Sequence, residues 1–282
     1  MSNKKITRKY YNNRDYFLDF ENRTLTLSDA LYAKLKGTNQ FEKFKKIGGS
    51  SVGNILISDN FKNDFIAYCF ITRLNPAVFQ TKYIDAGNAI EPKVFDLLRA
   101  TYPDQVIENY RAEDYGYDYF KDTHPIISGV PDGYIPAINR IVEVKTAGAK
   151  KKEAWDKYGV DKSYIKQAQL YSFLKGANSF IIVAAFLNDD AGDYLNPEQV
   201  DLTQREVKGY AFTIDQNVVR DDIKKVEEWY KFYTNTNVSP KFDLAVNADL
   251  IEYLKCENQQ QWIDYANKLK QQGKMDLDFI IE

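Results

Sequence analysis

The sequence predicts an α/β domain, a central mixed β-sheet flanked by helices, and three observations carry that prediction. Between residues 105 and 145 the apolar side chains recur with a period near two. On either side of that stretch they recur at helical spacing. Residues 180–186 form a continuous apolar run of the length of a buried strand. Residues 1–40 are polar and rich in Tyr and Asn, with apolar pieces around Phe17-Leu18 and 25–35, and read as an N-terminal extension with one or two helices. Gly48-Gly49 breaks the chain before Ser50 and Ser51, and Val52, Ile55 and Leu56 follow in helical register, so Ser50 or Ser51 is the expected N-cap. A second helical pattern covers 64–72. A third covers 85–98, with Ile90, Val94, Phe95 and Leu98 inward and Pro92 either kinking it or lying in its first turn. Residues 106–107, 117–120, 126–130 and 140–144 are expected as strands of an antiparallel meander. A helix over 163–175 carries Ile165, Leu170 and Leu174 on one side, strands follow at 180–186 and 207–214, and an amphipathic helix spans 218–233. The rest of the chain reads as helical. The expected division is 1–40, 41–238 and 239–282.

Composition limits what such a chain can be. Its 282 residues, 44% hydrophobic and 28% charged, are ordinary for a globular protein with a sizeable core. No stretch approaches the length of a membrane span, so no membrane partner is expected. The basic N-terminus lacks the apolar segment of a secretory signal. Cys69 and Cys256 are far apart and without CxxC partners, which predicts a reducing, cytoplasmic setting and no zinc or iron–sulfur site. A net charge of -2 does not mark a nucleic-acid binder, but phosphate binding needs only a local basic surface. Local clusters exist at Lys4-Lys5, Arg8-Lys9, Lys43/Lys45/Lys46 and Lys150-Lys151-Lys152, and any one of them can equally be a solvated face.

The chemistry concentrates in one stretch. Pro131-Asp132 sits in a turn, and Glu143-Val144-Lys145 follows on a short apolar strand. Side chains alternate along a strand, so Glu143 and Lys145 share a face and Val144 points away. Two carboxylates suit a hard divalent cation, above all Mg2+, which takes oxygen ligands and keeps some of its waters. The backbone carbonyl of Val144 is a candidate third oxygen ligand. Lys145 is suited to orienting an attacking water and stabilising charge on a phosphate. Taken alone, the pattern is equally a turn followed by a surface Glu-x-Lys pair. His124, the only histidine, precedes Pro125 and is assigned no chemistry.

Further motifs surround this stretch. Lys46-Ile-Gly-Gly-Ser-Ser-Val, Gly87-Asn88-Ala-Ile-Glu91-Pro92, Ser128-Gly-Val-Pro-Asp132-Gly133, Glu143-Val-Lys145 and Tyr164-Ile-Lys-Gln167-Ala-Gln169 occur in that order. Together they resemble the ordered motifs of the lambda-exonuclease/YqaJ-type recombination nucleases of the PD-(D/E)xK superfamily, across residues 43–233. The resemblance implies a PD-(D/E)xK (restriction-endonuclease-like) core over 41–238. It also implies a DNA nuclease using Mg2+, with Mn2+ as an alternative, that degrades one strand of duplex DNA from its 5′ end. Glu91 would add a carboxylate to the metal ligands Asp132, Glu143 and Val144. Lys145 would be the catalytic lysine, with Gln167 and Gln169 at or near the active site. Ser50 and Ser51, with Lys43, Lys45 or Lys46, would hold a terminal phosphate, and Lys150 and Lys151 would contact the DNA backbone. The family also implies a homotrimer around DNA and a single-strand annealing partner. This chain departs from the family in having lysines where an arginine is usual and Ser51 where an acid is usual. A lysine binds phosphate as a point charge, without a bidentate fork. A restriction- or repair-type endonuclease of the same fold, and a non-catalytic DNA-binding module with a vestigial site, are the alternatives. Apart from the resemblance, Glu91 reads equally as a helix-terminus acid, and Gln167 and Gln169 as surface residues of an amphipathic helix.

Overall fold

Strand alternation around residue 143 organises the structure, a computed structural model that describes residues 4–57 and 62–282. In chain order the strands and helices are β1 (Lys4–Ile6), β2 (Tyr16–Asp19), β3 (Thr24–Leu27), α1 (Asp29–Leu35), β4 (Ile47–Gly48), α2 (Gly53–Leu56), α3 (Asp64–Ile71) and α4 (Lys82–Thr101). The middle of the chain adds β5 (Glu108–Asn109), β6 (Ile127–Ser128), β7 (Gly133–Ile135), β8 (Arg140–Gly148), α5 (Ala149–Tyr158), α6 (Lys162–Lys175) and β9 (Ser179–Leu187). It ends with β10 (Glu206–Thr213), α7 (Gln216–Thr234), α8 (Ala248–Leu254), α9 (Gln259–Gln271) and β11 (Phe279–Ile281). None of the helices among the described residues is long and apolar enough to cross a membrane. The chain forms two compact units. One comprises the described residues of 1–46, 57–81 and 226–282; the other comprises 47–56 and 82–225. The expected boundaries at 40 and 238 both fall inside segments of the first unit.

The second unit is built on a five-stranded mixed sheet of order β10-β9-β8-β7-β5. β8 is its middle strand, parallel to β9 and antiparallel to β7. Alternate residues of β8 enter opposite cores. Val142 and Val144 join Ala86, Ile90, Val94 and Phe95 of α4, whereas Ile141 and Ala147 join Trp155 and Ala168 of α5 and α6. β9 continues both layers, with Val183 and Ala185 on the first and Ile182 and Ala184 on the second. A two-stranded parallel pair, β4 with β6, lies outside this sheet. Gly133 opens β7 where no side chain fits: a Cβ there would overlap the Glu108 carbonyl oxygen and the Phe95 ring. Gly133→Ala should therefore cost about 1–3 kcal/mol of stability, read as a lower denaturant midpoint and partly restored by Phe95→Leu.

The first unit has its own core around Tyr16, Leu25, Leu27, Leu35, Phe65, Tyr68, Phe242 and Trp262, all essentially solvent-free. β2 and β3 form an antiparallel hairpin, and β1 pairs in parallel with β11, joining the two ends of the chain. Side-chain caps start three of its helices: the Ser28 hydroxyl accepts from the Leu31 N–H, and Asn63 and Asn258 do the same for α3 and α9.

Several expectations change. Residues 117–120 are turn, not strand, because Gly116 and Tyr117 both take positive φ and reverse the chain. Residues 126–130 supply only the two-residue β6, and the β8–β9 step is parallel, so the sheet is not a simple meander. Ser50 and Ser51 do not cap a helix; they lie in a 3-10 turn over Gly49–Ser51 that opens from Gly48 without a side-chain cap. α4 continues past Pro92, placing Glu91 mid-helix and setting aside its reading as a helix-terminus acid. The terminal segments contain strands as well as helices.

Candidate active site

The site is assembled where β8 outruns β7. The register pairs Gly133 with Val142, and beyond that point the edge of β8 is met by Asp132 instead of a strand. The Val144 N–H donates to Asp132 Oδ2 at 2.7 Å, which fixes the carboxylate. N–H and C=O of one strand residue leave on the same side, so the Val144 carbonyl borders the same space. Glu143 and Lys145 share the opposite-facing row, as alternation requires. Lys145 Nζ lies 3.0 Å from Glu143 Oε2 and 4.0 Å from Asp132 Oδ2. Gln167 reaches down from α6 and its Nε2 donates to the same Glu143 oxygen at 3.1 Å.

Glu143 is 0% exposed, yet its other oxygen, Oε1, has no hydrogen-bond partner among the described residues. A bare carboxylate oxygen in a protein interior is costly unless a cation or proton satisfies it. Burial, then the Asp132 charge, pushes the Glu143 carboxyl up to about 8. The same two causes push Glu91 up to about 7, and burial also raises Asp132. Burial alone would lower Lys145, but Glu143 and Asp132 outweigh it and keep the lysine cationic. Three carboxyls raised together beside one lysine mark a site short of positive charge. That fits a divalent cation. Among the described residues no three His, Cys, Asp or Glu side chains already converge as ligands, so the ready pair is Asp132 and Glu143. Glu91 stands one hydrogen bond back: Asn109 Nδ2 donates to Glu91 Oε1 at 3.3 Å and to the Asp132 carbonyl at 3.1 Å.

The raised carboxyls give a stability prediction with a definite sign. Glu143 titrates from an ordinary 4.5 in the unfolded chain to about 8 in the folded one, so the folded state holds the extra proton between these limits. Stability should be greatest below the lower value and fall as pH rises through the upper one. Melting temperature in EDTA should decline over that window, and added Mg2+ should flatten the decline by supplying the missing charge.

The structure brings together Asp132, Glu143, Lys145 and Gln167, with Glu91 joined through Asn109. Gln167 and Gln169 are both buried rather than surface residues. Gln169, two positions on, turns to the far side of α6, and its Nε2 has no partner among the described residues. Ser50 is exposed and Ser51 half-buried. Lys43, Lys45 and Lys46 belong to the other unit. Lys150 is exposed at the start of α5. Lys151 Nζ donates to the Tyr164 hydroxyl at 3.0 Å, and Lys145 lies 5.3 Å over the same Tyr164 ring, so one tyrosine links the two lysines. Trp155 is buried in the core and anchors α5, whereas Tyr158 is exposed.

Two residues escaped the sequence reading. Asn109 couples Glu91 to Asp132. Tyr171, one turn beyond Gln167, lies across Gly49 and Gly129, and a Cβ at either glycine would overlap its ring or hydroxyl. Its phenol is raised by burial and then by the charges of Glu143 and Asp132, and it shares a hydrogen bond with Gln167. The glycines of the two motifs are thus what lets Tyr171 approach the carboxylates. The recurrence of glycine directly after β4 and β6 was the available signal.

No model of a known protein family matches the chain. The uncharacterized protein MG373 of Mycoplasma genitalium is 25% identical over 81% of this chain and 93% of its own length. Its Mycoplasma pneumoniae homolog is 22% identical over the same shares. Among solved structures, a phage related exonuclease from Haemophilus somnus superposes with a TM-score of 0.50 at 19% identity, over 70% of this chain and 97% of that one. An alkaline exonuclease, LHK-Exo, from Laribacter hongkongensis gives a TM-score of 0.49 at 16% identity, over 86% of this chain and all of its own. The Haemophilus somnus likeness bears out the mixed α/β fold expected from the sequence.

Proposed function

We propose that this chain is a metal-dependent deoxyribonuclease of the lambda-exonuclease/YqaJ type, degrading one strand of duplex DNA from its 5′ end with Mg2+. The observation that carries the reading is the cluster of Asp132, Glu143 and Lys145, with the buried Glu143 Oε1 lacking a hydrogen-bond partner among the described residues. Asp132, Glu143, the Val144 carbonyl and Glu91 would hold the metal, and Mn2+ would serve in its place. When bound, such a cation supplies positive charge to a scissile phosphate and acidifies water. The residues do the rest. The Val144 N–H holds Asp132 in one orientation. Gln167 and Lys145 both donate to Glu143 Oε2, which presents Oε1. Lys145, kept cationic, offers a donor to the charge that develops on the phosphate. Lys150 and Lys151 would contact the DNA backbone, and Ser50 and Ser51 a terminal phosphate. The resemblance adds a homotrimer around the duplex and an annealing protein that receives the remaining strand.

The likeness to the phage related exonuclease from Haemophilus somnus supports the exonuclease reading. Digestion of a linear duplex in Mg2+ should proceed faster from a 5′-phosphate end than from a 5′-hydroxyl end. A covalently closed circle should survive. Cleavage of the closed circle would favour an endonuclease, and no loss of either substrate would leave a vestigial site.

A further inference from the structure

The first unit contains a second concentration of unmatched charge, and there it is positive. A cavity of about 260 Å3 is walled by Thr7, Tyr10, Tyr16, Lys45, Arg73 and Tyr253, among others. Lys45 is half-buried, packs 4.6 Å over the Phe70 ring, and has no carboxylate partner among the described residues. Arg73 spends Nε and Nη2 on the carbonyls of Lys43 and Gln40, leaving Nη1 without an acceptor among the described residues. Behind the wall, Arg8 is only 8% exposed. Its guanidinium donates to the Tyr10 and Tyr253 carbonyls and the Tyr16 hydroxyl, and stacks 3.9 Å from the Tyr253 ring. It too has no carboxylate partner among the described residues. The neighbouring Lys9, by contrast, is matched by Glu42. Tyr10 is 8% exposed, and its hydroxyl has no hydrogen-bond partner among the described residues.

We propose that this cavity is an anion-binding site, separate from the carboxylate cluster, that takes the phosphate of a single nucleotide unit. Two lining cations without carboxylates among the described residues, Lys45 and Arg73, suit a multiply charged oxyanion better than a single carboxylate, because a cation withdrawn from water needs a counter-charge. The Thr7 hydroxyl, the Lys45 ammonium and Arg73 Nη1 supply donors for its several oxygens. The volume lies just under the ~300 Å3 at which small-ligand pockets begin. It therefore accommodates a phosphate with its sugar, not a large cofactor. Burial first, and then the neighbouring Arg73, hold the Lys45 ammonium below its ordinary pKa, which agrees with a locally positive cavity.

The phosphate can come from a free mononucleotide or from a DNA strand, and calorimetry on the full chain separates the two. Orthophosphate, a deoxynucleoside 5′-monophosphate and a short single-stranded oligonucleotide are titrated in EDTA. Orthophosphate and at least one nucleotide probe should bind the wild type. Lys45→Gln should weaken that binding by about tenfold or more. Lys45→Arg, which keeps the charge, should retain it. Lys208→Gln, which lies outside the cavity lining and pairs with Asp156, should leave it unchanged. Tighter binding of the mononucleotide than of the oligonucleotide assigns the free ligand, and the reverse order assigns the strand. Equal affinities of wild type and Lys45→Gln for all three probes, or no binding of any at millimolar concentration, would overturn the proposal.

Discussion

Lys145→Ala should lower the rate of DNA hydrolysis by about 10²–10³-fold, the usual cost of removing one preorganised donor from a developing oxyanion. The fold should survive, because Lys145 makes its ion pairs with carboxyls already raised by burial, and Glu143 can answer the loss by keeping its proton. Lys145→Met, which keeps an unbranched apolar stem but removes the ammonium over Tyr164, should be equally slow. The informative pattern is kinetic. If Lys145 acts on the transition state, kcat and kcat/KM fall together while Mg2+ still raises the melting temperature. A lysine that merely neutralised Glu143 would move stability and leave the single-turnover rate near wild type.

Glu143→Gln should separate function from stability in the opposite direction. The wild-type carboxyl is fully buried with one oxygen unpartnered, so above its raised pKa of about 8 it is a buried charge with incomplete compensation. An amide of the same shape removes that charge. In EDTA above pH 8, the variant should therefore melt higher than the wild type while showing no measurable nuclease activity. It should also lose most of the stabilisation by Mg2+, which for a site filled at a hundredfold excess over Kd is worth about 2.7 kcal/mol. Asp132→Asn should lose the same stabilisation. Since its carboxylate is satisfied by the Val144 N–H, it should gain less in EDTA. Wild-type melting that ignores Mg2+, together with an unchanged Glu143→Gln curve, would remove the metal from the site.

What the sequence made legible follows from how local each feature is. Asp132, Glu143 and Lys145 could be placed because strand alternation needs only neighbouring residues, and the observed 3.0 Å contact between Glu143 and Lys145 is that alternation realised. The long helices and the apolar β9 were readable for the same reason. Glu91 was placed at the site only through the family resemblance, because its link runs through Asn109, which no spacing connects to it. Tyr171 was hidden because its significance lies in two glycines far away in sequence. Residues 117–120 misled because Tyr and Phe favour strands, but the left-handed backbone at Gly116 and Tyr117 overrides that preference. The pairing of β1 with β11 joins the ends of the chain and leaves no local trace. The cavity around Lys45 draws its walls from residues 7, 10, 16, 73 and 253, so its charge imbalance is visible only in three dimensions.

The most direct test of the carboxylate–lysine centre is nucleotide release from a linear duplex by protein first stripped with EDTA and then supplied with Mg2+. Release should be absent before the addition and begin with it for the wild type, and Lys145→Ala should remain at least about 10²-fold slower. Equal release by both proteins, or none from the wild type after Mg2+ is restored, would contradict the assignment of Asp132, Glu143 and Lys145 as a phosphodiesterase centre.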